Sequence, residues 1–237
     1  MTKGAGRFYK SVDVIELDSG KWQVRLDARP AKTPAGNLLE MPTQALAEAV
    51  AGEWGAQTGE MRPESMPLTR IANTALDRIA VQRETAIAEL MRFAATDLLC
   101  FRAHEPERLV ELEAAAWDPL LEWLGEQYGV GLRISTGIAA VRQDPDDLGT
   151  LESFVLRFDD FAMAGVVAAA QLLGSAVLAL GLFEGRITAD QAIEAAEVDS
   201  AYQQQVWGQD PLLSSSNHKR LQELSVIAQF LGLARAV

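Results

Sequence analysis

Two stretches of this 237-residue chain carry more polarity than a core requires. One is Met66-Pro67-Leu68-Thr69-Arg70-Ile71-Ala72-Asn73-Thr74, where Thr69, Arg70 and Asn73 gather at a predicted helix start. The other runs from Val198-Asp199 through Tyr202-Gln203 to Trp207-Gly208-Gln209-Asp210. At helical spacing Asp199 and Gln203 are i, i+4 neighbours, as are Val198 and Tyr202, and Trp207 falls just before the Gly208 stop. A Trp flanked by a carboxylate and an amide is the mixed patch that protein recognition uses. The other reading of the same residues is a Trp that closes the end of a core, with Asp199 merely solvated.

Catalytic groupings are harder to find. His104, in Arg102-Ala103-His104-Glu105-Pro106, reads as a polar helix entrance, and His218, beside Lys219 and Arg220, as a solvated cap. Cys100 sits in the apolar company of Leu98, Leu99 and Phe101, which favours a buried inert thiol over a nucleophile. One cysteine and two histidines make a zinc cage an unattractive reading. No phosphate-binding Walker loop and no strand–GxGxxG–helix fingerprint occurs, and Gly4-Ala5-Gly6 precedes the first predicted strand. Asp146-Asp147 and Asp159-Asp160 read as helix-start charges that complement the macrodipole. The expectation is therefore no catalytic set, no cofactor and no metal, with a discontinuous active site as the alternative.

Composition bounds the partners. With 21 Lys+Arg against 33 Asp+Glu the formal charge is −12, which argues against non-specific binding to nucleic acid or anionic lipid. The 49% hydrophobic content is that of a globular protein, and a chain of this length buries roughly 70–75% of its unfolded surface without needing disulfides. The lone cysteine suits a reducing compartment. Met1 to Gly6 is short and polar, so neither a signal peptide nor a transit sequence is expected there.

The elements that must position the polar patches divide into two kinds. Val12 to Leu17, then Trp22, Val24 and Leu26 after the Asp18-Ser19-Gly20 turn, alternate as strands, with Leu38 to Met41 as a third. Thr43 is a predicted N-cap for a helix whose stripe is Leu46, Val50 and Trp54, ending near Gly59. From Pro67 onward the helical period dominates. Pro106 opens a run through Leu109, Leu112 and Ala116 that Asp118-Pro119 is expected to break or restart. Leu132 to Gly137 is extended, Asp144-Pro145 starts a further helix, and Thr188 with Gln191 forms a capping-box pair for a helix through Ala192, Ala195, Val198 and Tyr202. Leu212 to Asn217, with its three serines, reads as a loop before a last helix. The expected class is α+β: a small N-terminal antiparallel β-containing domain, 1–66, followed by a larger all-α domain, 67–237.

Phe161 to Phe183 has no charge and enough length to cross a bilayer. Its five Leu, three Val and two Phe favour insertion by only about 3 to 6 kcal/mol, and three Gly, Gln171 and Ser175 oppose it. The favoured reading is buried core, as one long helix or as two meeting near Gly174-Ser175.

Several strings together resemble one family, the assembly chaperones that act on the alpha subunit of F1-ATPase. They are Arg7-Phe8-Tyr9-Lys10, Trp22-Gln23-Val24-Arg25-Leu26-Asp27, Arg29-Pro30-Ala31-Lys32-Thr33-Pro34-Ala35-Gly36, Glu53-Trp54 and Met66 to Thr74. Further on come Thr96 to Arg102, Trp117-Asp118-Pro119-Leu120-Leu121, Gly174-Ser175, and Tyr202-Gln203 with Trp207-Gly208. The resemblance spans most of the chain in order. It implies a small β-containing domain and a larger helical one, and a non-enzymatic role. The implied partner is the unassembled alpha subunit, held until the beta subunit takes its place. A Glu is usual in the family where Asp199 stands, and after Gly208 the family continues with acidic residues and a His rather than Gln209-Asp210-Pro211. The expected partner contacts are Asp199, Gln203, Trp207, Asp210, Arg70 and Asn73, on a monomer without stable membrane insertion in a bacterial cytoplasm or, for a processed chain, the mitochondrial matrix.

Overall fold

The computed structural model describes residues 6–137, 141–208 and 211–235, with side chains omitted for 211–215. Within them the backbone groups into two compact units. One takes in residues 6–83, 159–165 and 229–235; the other takes in 84–158 and 166–228.

The first unit begins with the expected meander. Strands β1 (Val12–Glu16), β2 (Trp22–Leu26), β3 (Arg29–Pro30) and β4 (Glu40–Met41) are antiparallel, and β2 is the hub that pairs with the other three. A two-residue turn joins β2 to β3, with both Asp27 (φ 48°) and Ala28 (φ 62°) in the left-handed region. Asp27 is held there because its carboxylate accepts the Lys10 and Ser11 amides, each at 2.9 Å. Helix α1 (Gln44–Gly55) starts at the Thr43 cap and covers β1 and β2, burying Leu46, Ala47 and Val50 against Val24, Leu39 and Met41. It ends four residues earlier than expected, at Gly55.

Helix α2 (Pro67–Thr74) follows and runs into one turn of π-helix, Ala75–Ile79. The π turn carries Asp77, whose carboxylate accepts Thr33 Oγ1 at 2.5 Å, the Ala35 amide at 3.1 Å and Asn37 Nδ2 at 2.8 Å. These bonds pin the 33–37 loop.

The second unit is helical. Helix α3 (Arg83–Ala95) leads through a 3₁₀ turn, Leu98–Cys100, into strand β5 (Phe101–Arg102). Helix α4 (Glu107–Tyr128) is the longest described so far and ends at left-handed Gly129. The expected break at Asp118-Pro119 does not occur. A proline inside a helix costs about 3 kcal/mol or more. Trp117, Leu120 and Leu124 on either side of it are buried, and their burial offsets the lost backbone bond. Strand β6 (Ser135–Thr136) lies in the predicted extended segment and pairs in parallel with β5.

Helix α5 (Pro145–Val155) has the expected Asp144 cap and proline at its first turn. The uncharged stretch then resolves into two helices, α6 (Asp160–Leu173) and α7 (Ala176–Phe183), separated by Gly174 at φ 72° and capped by Ser175. Among the described residues no helix is long and apolar enough to cross a membrane. Helix α7 is the centre of the second unit: Ala176 through Leu182 are all buried, and it packs on α4. Helix α8 (Ala189–Ala196) starts with the Thr188/Gln191 capping box and also packs on α7. After it come α9 (Val198–Trp207) and α10 (Pro211–Ala234). Residues 212–217, expected as a loop, belong to α10. Serine and asparagine disfavour a helix by only some tenths of a kcal/mol each, a small penalty once neighbouring turns are formed.

Residues 160–165 and 229–234 complete the first unit. Phe161 stacks on Phe230 at 6.2 Å, and Gly165 admits the Leu231 side chain.

Candidate partner-binding surface

Helix α9 is a surface helix in an otherwise well-packed unit. The helix expected to run on from Thr188 through Tyr202 is instead interrupted at Glu197, which leaves helical geometry (φ −110°, ψ 12°) between α8 and α9. Helix α9 ends at Gly208, at φ 99°. None of its ten residues is buried. Asp199 and Gln203 are exposed one turn apart, Val206 is 53% exposed, and Trp207 is 85% exposed. Trp207 therefore closes no core. A large indole left in water on a helix that contributes no core side chain is the feature that distinguishes a contact surface from a packed face.

Among the described residues, two polar links tie α9 to the rest of its unit. At its N-terminal side Glu197 is ion-paired with Arg220 of α10, which also donates to the Leu172 carbonyl at 2.7 Å. Asn217 donates to Glu197 at 3.4 Å. Beside α9 an open cleft of about 330 Å³ is lined by Ala201, Gln204, Gln205 and Asn217, a neutral, amide-rich wall.

The second link is buried. Glu113 of α4, 1% exposed, accepts the Ala103 amide at 2.8 Å and hydrogen-bonds the Asp199 carboxyl. Burial is the largest influence on Glu113. Together with the neighbouring Asp199 charge it outweighs the Ala103 hydrogen bond and Arg102, and the carboxyl is pushed up to about 7. Arg102 is committed elsewhere: it donates to the Leu99 carbonyl and to Asp118, each at 2.8 Å, and lies over the Trp117 ring at 5.1 Å. Trp117 in turn donates its indole N–H to the Ala195 carbonyl at 2.7 Å, which ties α4 to the end of α8.

Glu113 is the residue that sequence reading passed over. The signal was present: it lies four residues after Leu109 and four before Trp117, so a carboxylate falls in the apolar register of α4.

Arg70 and Asn73 sit on α2, in the first unit, with Arg70 exposed and Asn73 half-buried. Part of the polarity around them is structural. The Glu53 carboxylate reaches across from α1 to accept the Leu68 and Thr69 amides, each at 2.8 Å, and the Thr69 hydroxyl at 2.7 Å. Thr69 is therefore a buried cap partner, while Arg70 projects to solvent. Asp210 lies outside the described residues.

The groups that could have done other chemistry are dispersed. His104 is exposed beside Glu105 at 3.6 Å, His218 contacts Gln222 within α10, and burial pushes the Cys100 thiol up to about 12. Among the described residues no group of three or more His, Cys, Asp or Glu is gathered that could hold a metal ion.

A two-part α+β fold that presents an unburied helix with a bare indole has the make-up of a protein that binds other proteins. The chain belongs to the ATP12 chaperone family: the family model described as ATP12 chaperone protein matches residues 6–125. The mitochondrial Atp12 protein of Schizosaccharomyces pombe is 23% identical over 214 residues, covering 85% of this chain and 73% of that protein. The crystal structure of Atp12 from Paracoccus denitrificans superposes with a TM-score of 0.93 at 38% identity, over 98% of this chain and 99% of that one. The structure of a mutant of the Paracoccus denitrificans protein matches as well, at 37% identity and TM-score 0.93, over 98% of each chain.

Proposed function

We propose that this chain is a non-enzymatic chaperone of ATP synthase assembly that binds the unassembled alpha subunit of F1 and keeps it from aggregating until the beta subunit takes its place. Family membership supports the chaperone role. The observation that carries the contact surface is the 85% exposure of Trp207 on a helix with no buried residue. An unassembled subunit exposes an apolar interface that its permanent neighbour will later cover. A holding protein must cover it and still leave, so a mixed polar and apolar surface with a usable off-rate suits the task better than a dry, permanent one.

In this reading Trp207 supplies the apolar contact, and Asp199 and Gln203 the polar ones. Asp210, Arg70 and Asn73 are further contacts. The protein works as a monomer, without a cofactor, in a bacterial cytoplasm or a mitochondrial matrix.

The test is light scattering of purified alpha subunit with and without an equal concentration of this protein, in the absence of nucleotide. Suppressed aggregation together with a one-to-one species on size exclusion supports the proposal. Unchanged aggregation with no complex rejects it.

A further inference from the structure

Helix α9 packs on α4, and there the carboxyl groups of Glu113 and Asp199 meet; both are acceptors when ionised, so a hydrogen bond between them requires a proton on one of them. Glu113 is the buried member and is anchored by the Ala103 amide, whereas Asp199 is exposed on a helix with no buried side chain. The geometry points to Glu113 as the positioning residue of α9: its protonated carboxyl donates to Asp199 and holds the Asp199–Gln203–Trp207 surface in its binding geometry, and loss of that proton releases the helix.

The surroundings make the proton necessary. Arg102, on β5, is the cation that faces Glu113, and its guanidinium is already shared between the Leu99 carbonyl and Asp118 of α4. Asp199 is the group that faces it from α9. Helix α7 has no ionisable side chain, Asp190 and Glu194 of α8 are exposed, and α5 meets α4 at its far end, where Phe154 packs on Tyr128. When Glu113 ionises, two carboxylates are left in contact with one side buried, which is a repulsive arrangement.

Burial and Asp199 raise Glu113 from the ordinary 4.5 to about 7, so the sign follows. The docked state keeps a proton that free Glu113 would lose above about 4.5. The associated stability is present in full at low pH and disappears as pH rises through about 7. The fraction protonated falls about tenfold between pH 6 and pH 8, and the apparent affinity of a surface that needs the proton falls with it.

This inference rests on α9 being the client surface, and the experiment separates the two. Hydrogen exchange of the α9 amides, corrected for intrinsic rates, and the Kd for purified alpha subunit are measured at pH 6 and pH 8 in the wild type and in Glu113→Gln. The Gln amide donates to Asp199 at any pH, and its oxygen still accepts from Ala103. The wild type is expected to lose α9 protection and alpha-subunit affinity about tenfold over this range. Glu113→Gln is expected to stay flat in both. Asp199→Asn, read by exchange alone, should flatten the profile too, since an amide can donate to ionised Glu113. An identical pH profile in wild type and Glu113→Gln overturns the proposal, as does α9 protection that is independent of pH in the wild type. A flattened exchange profile with no alpha-subunit binding at either pH upholds the proton-held helix, overturns its link to capture and rejects the client assignment.

Discussion

The Asp97 carboxylate accepts the Ser175 hydroxyl at 2.7 Å and the Val177 amide at 3.0 Å, so a residue preceding β5 caps the N-terminus of the buried helix α7. The same carboxylate accepts the Leu99 amide at 3.1 Å, and all three donors are buried with it. Ser175 uses its own oxygen to accept the Leu178 amide. One carboxylate thus starts both the 3₁₀ turn Leu98–Cys100 and the central helix of the second unit.

Removing that carboxylate strands buried donors. Asp97→Ala is expected to lower stability by about 3 kcal/mol or more, read by urea denaturation. Burial raises Asp97 from 3.8 to about 6 despite these bonds. Because the folded value is raised, its contribution favours the folded state below about 4 and declines as pH rises through about 6. Asp97→Asn should remove that part of the pH dependence of the urea midpoint, leaving the decline through about 7 that belongs to Glu113.

Gly165 is required by space. A methyl group there would lie 2.8 Å from Leu231 Cγ and closer still to Cδ2, and Leu231 is only 2% exposed, so it has nowhere to retreat. Gly165→Ala is expected to destabilise by roughly 1–3 kcal/mol, lowering Tm in a thermal melt. Gly232, where an added methyl meets nothing within 4 Å, is the control site.

The β2–β3 turn holds a correctable strain. Ala28 sits at φ 62°, a conformation that costs an L-residue with a Cβ roughly 1–2 kcal/mol. Ala28→Gly should raise stability, by about 1 kcal/mol or somewhat less once the flexibility of glycine in the unfolded chain is counted. Denaturant midpoints with an unchanged m-value are the check.

Function and stability separate on α9. Trp207 is bare, so Trp207→Ala should shift the unfolding midpoint by no more than about 0.5 kcal/mol. If Trp207 anchors the alpha subunit, the same change should weaken the complex at least tenfold, as loss of a central aromatic contact does. Asp199→Lys should weaken it too, through a reversed charge on the contact face. Size exclusion and scattering of the alpha subunit read both.

Much of the local structure was legible because its causes are local. Thr43, Asp144 and the Thr188/Gln191 pair cap the helices they were expected to cap, since a side-chain oxygen two or three residues before an amide needs no tertiary partner. The alternation around Trp22, Val24 and Leu26 located β2, and Gly174-Ser175 was one of two readings of the uncharged stretch. The exposed indole of Trp207 and the polar residues a turn or two before it were also visible as a patch, though whether the Trp packed or projected was open.

What the sequence by itself determined, then, was the class of fold and the starts of those helices that carry a local cap, because each depends on neighbours within a turn or a strand. Only the tertiary structure decided that α4 runs through Pro119, where the burial of Trp117, Leu120 and Leu124 exceeds the penalty of a missing amide. It alone brought Asp97 to the start of α7 and Glu113 to Asp199, pairs separated by about eighty residues. A carboxyl group shows its solvation only when the surrounding chain has closed over it. That closure, and the proton it retains on Glu113, follow from packing that no local spacing encodes.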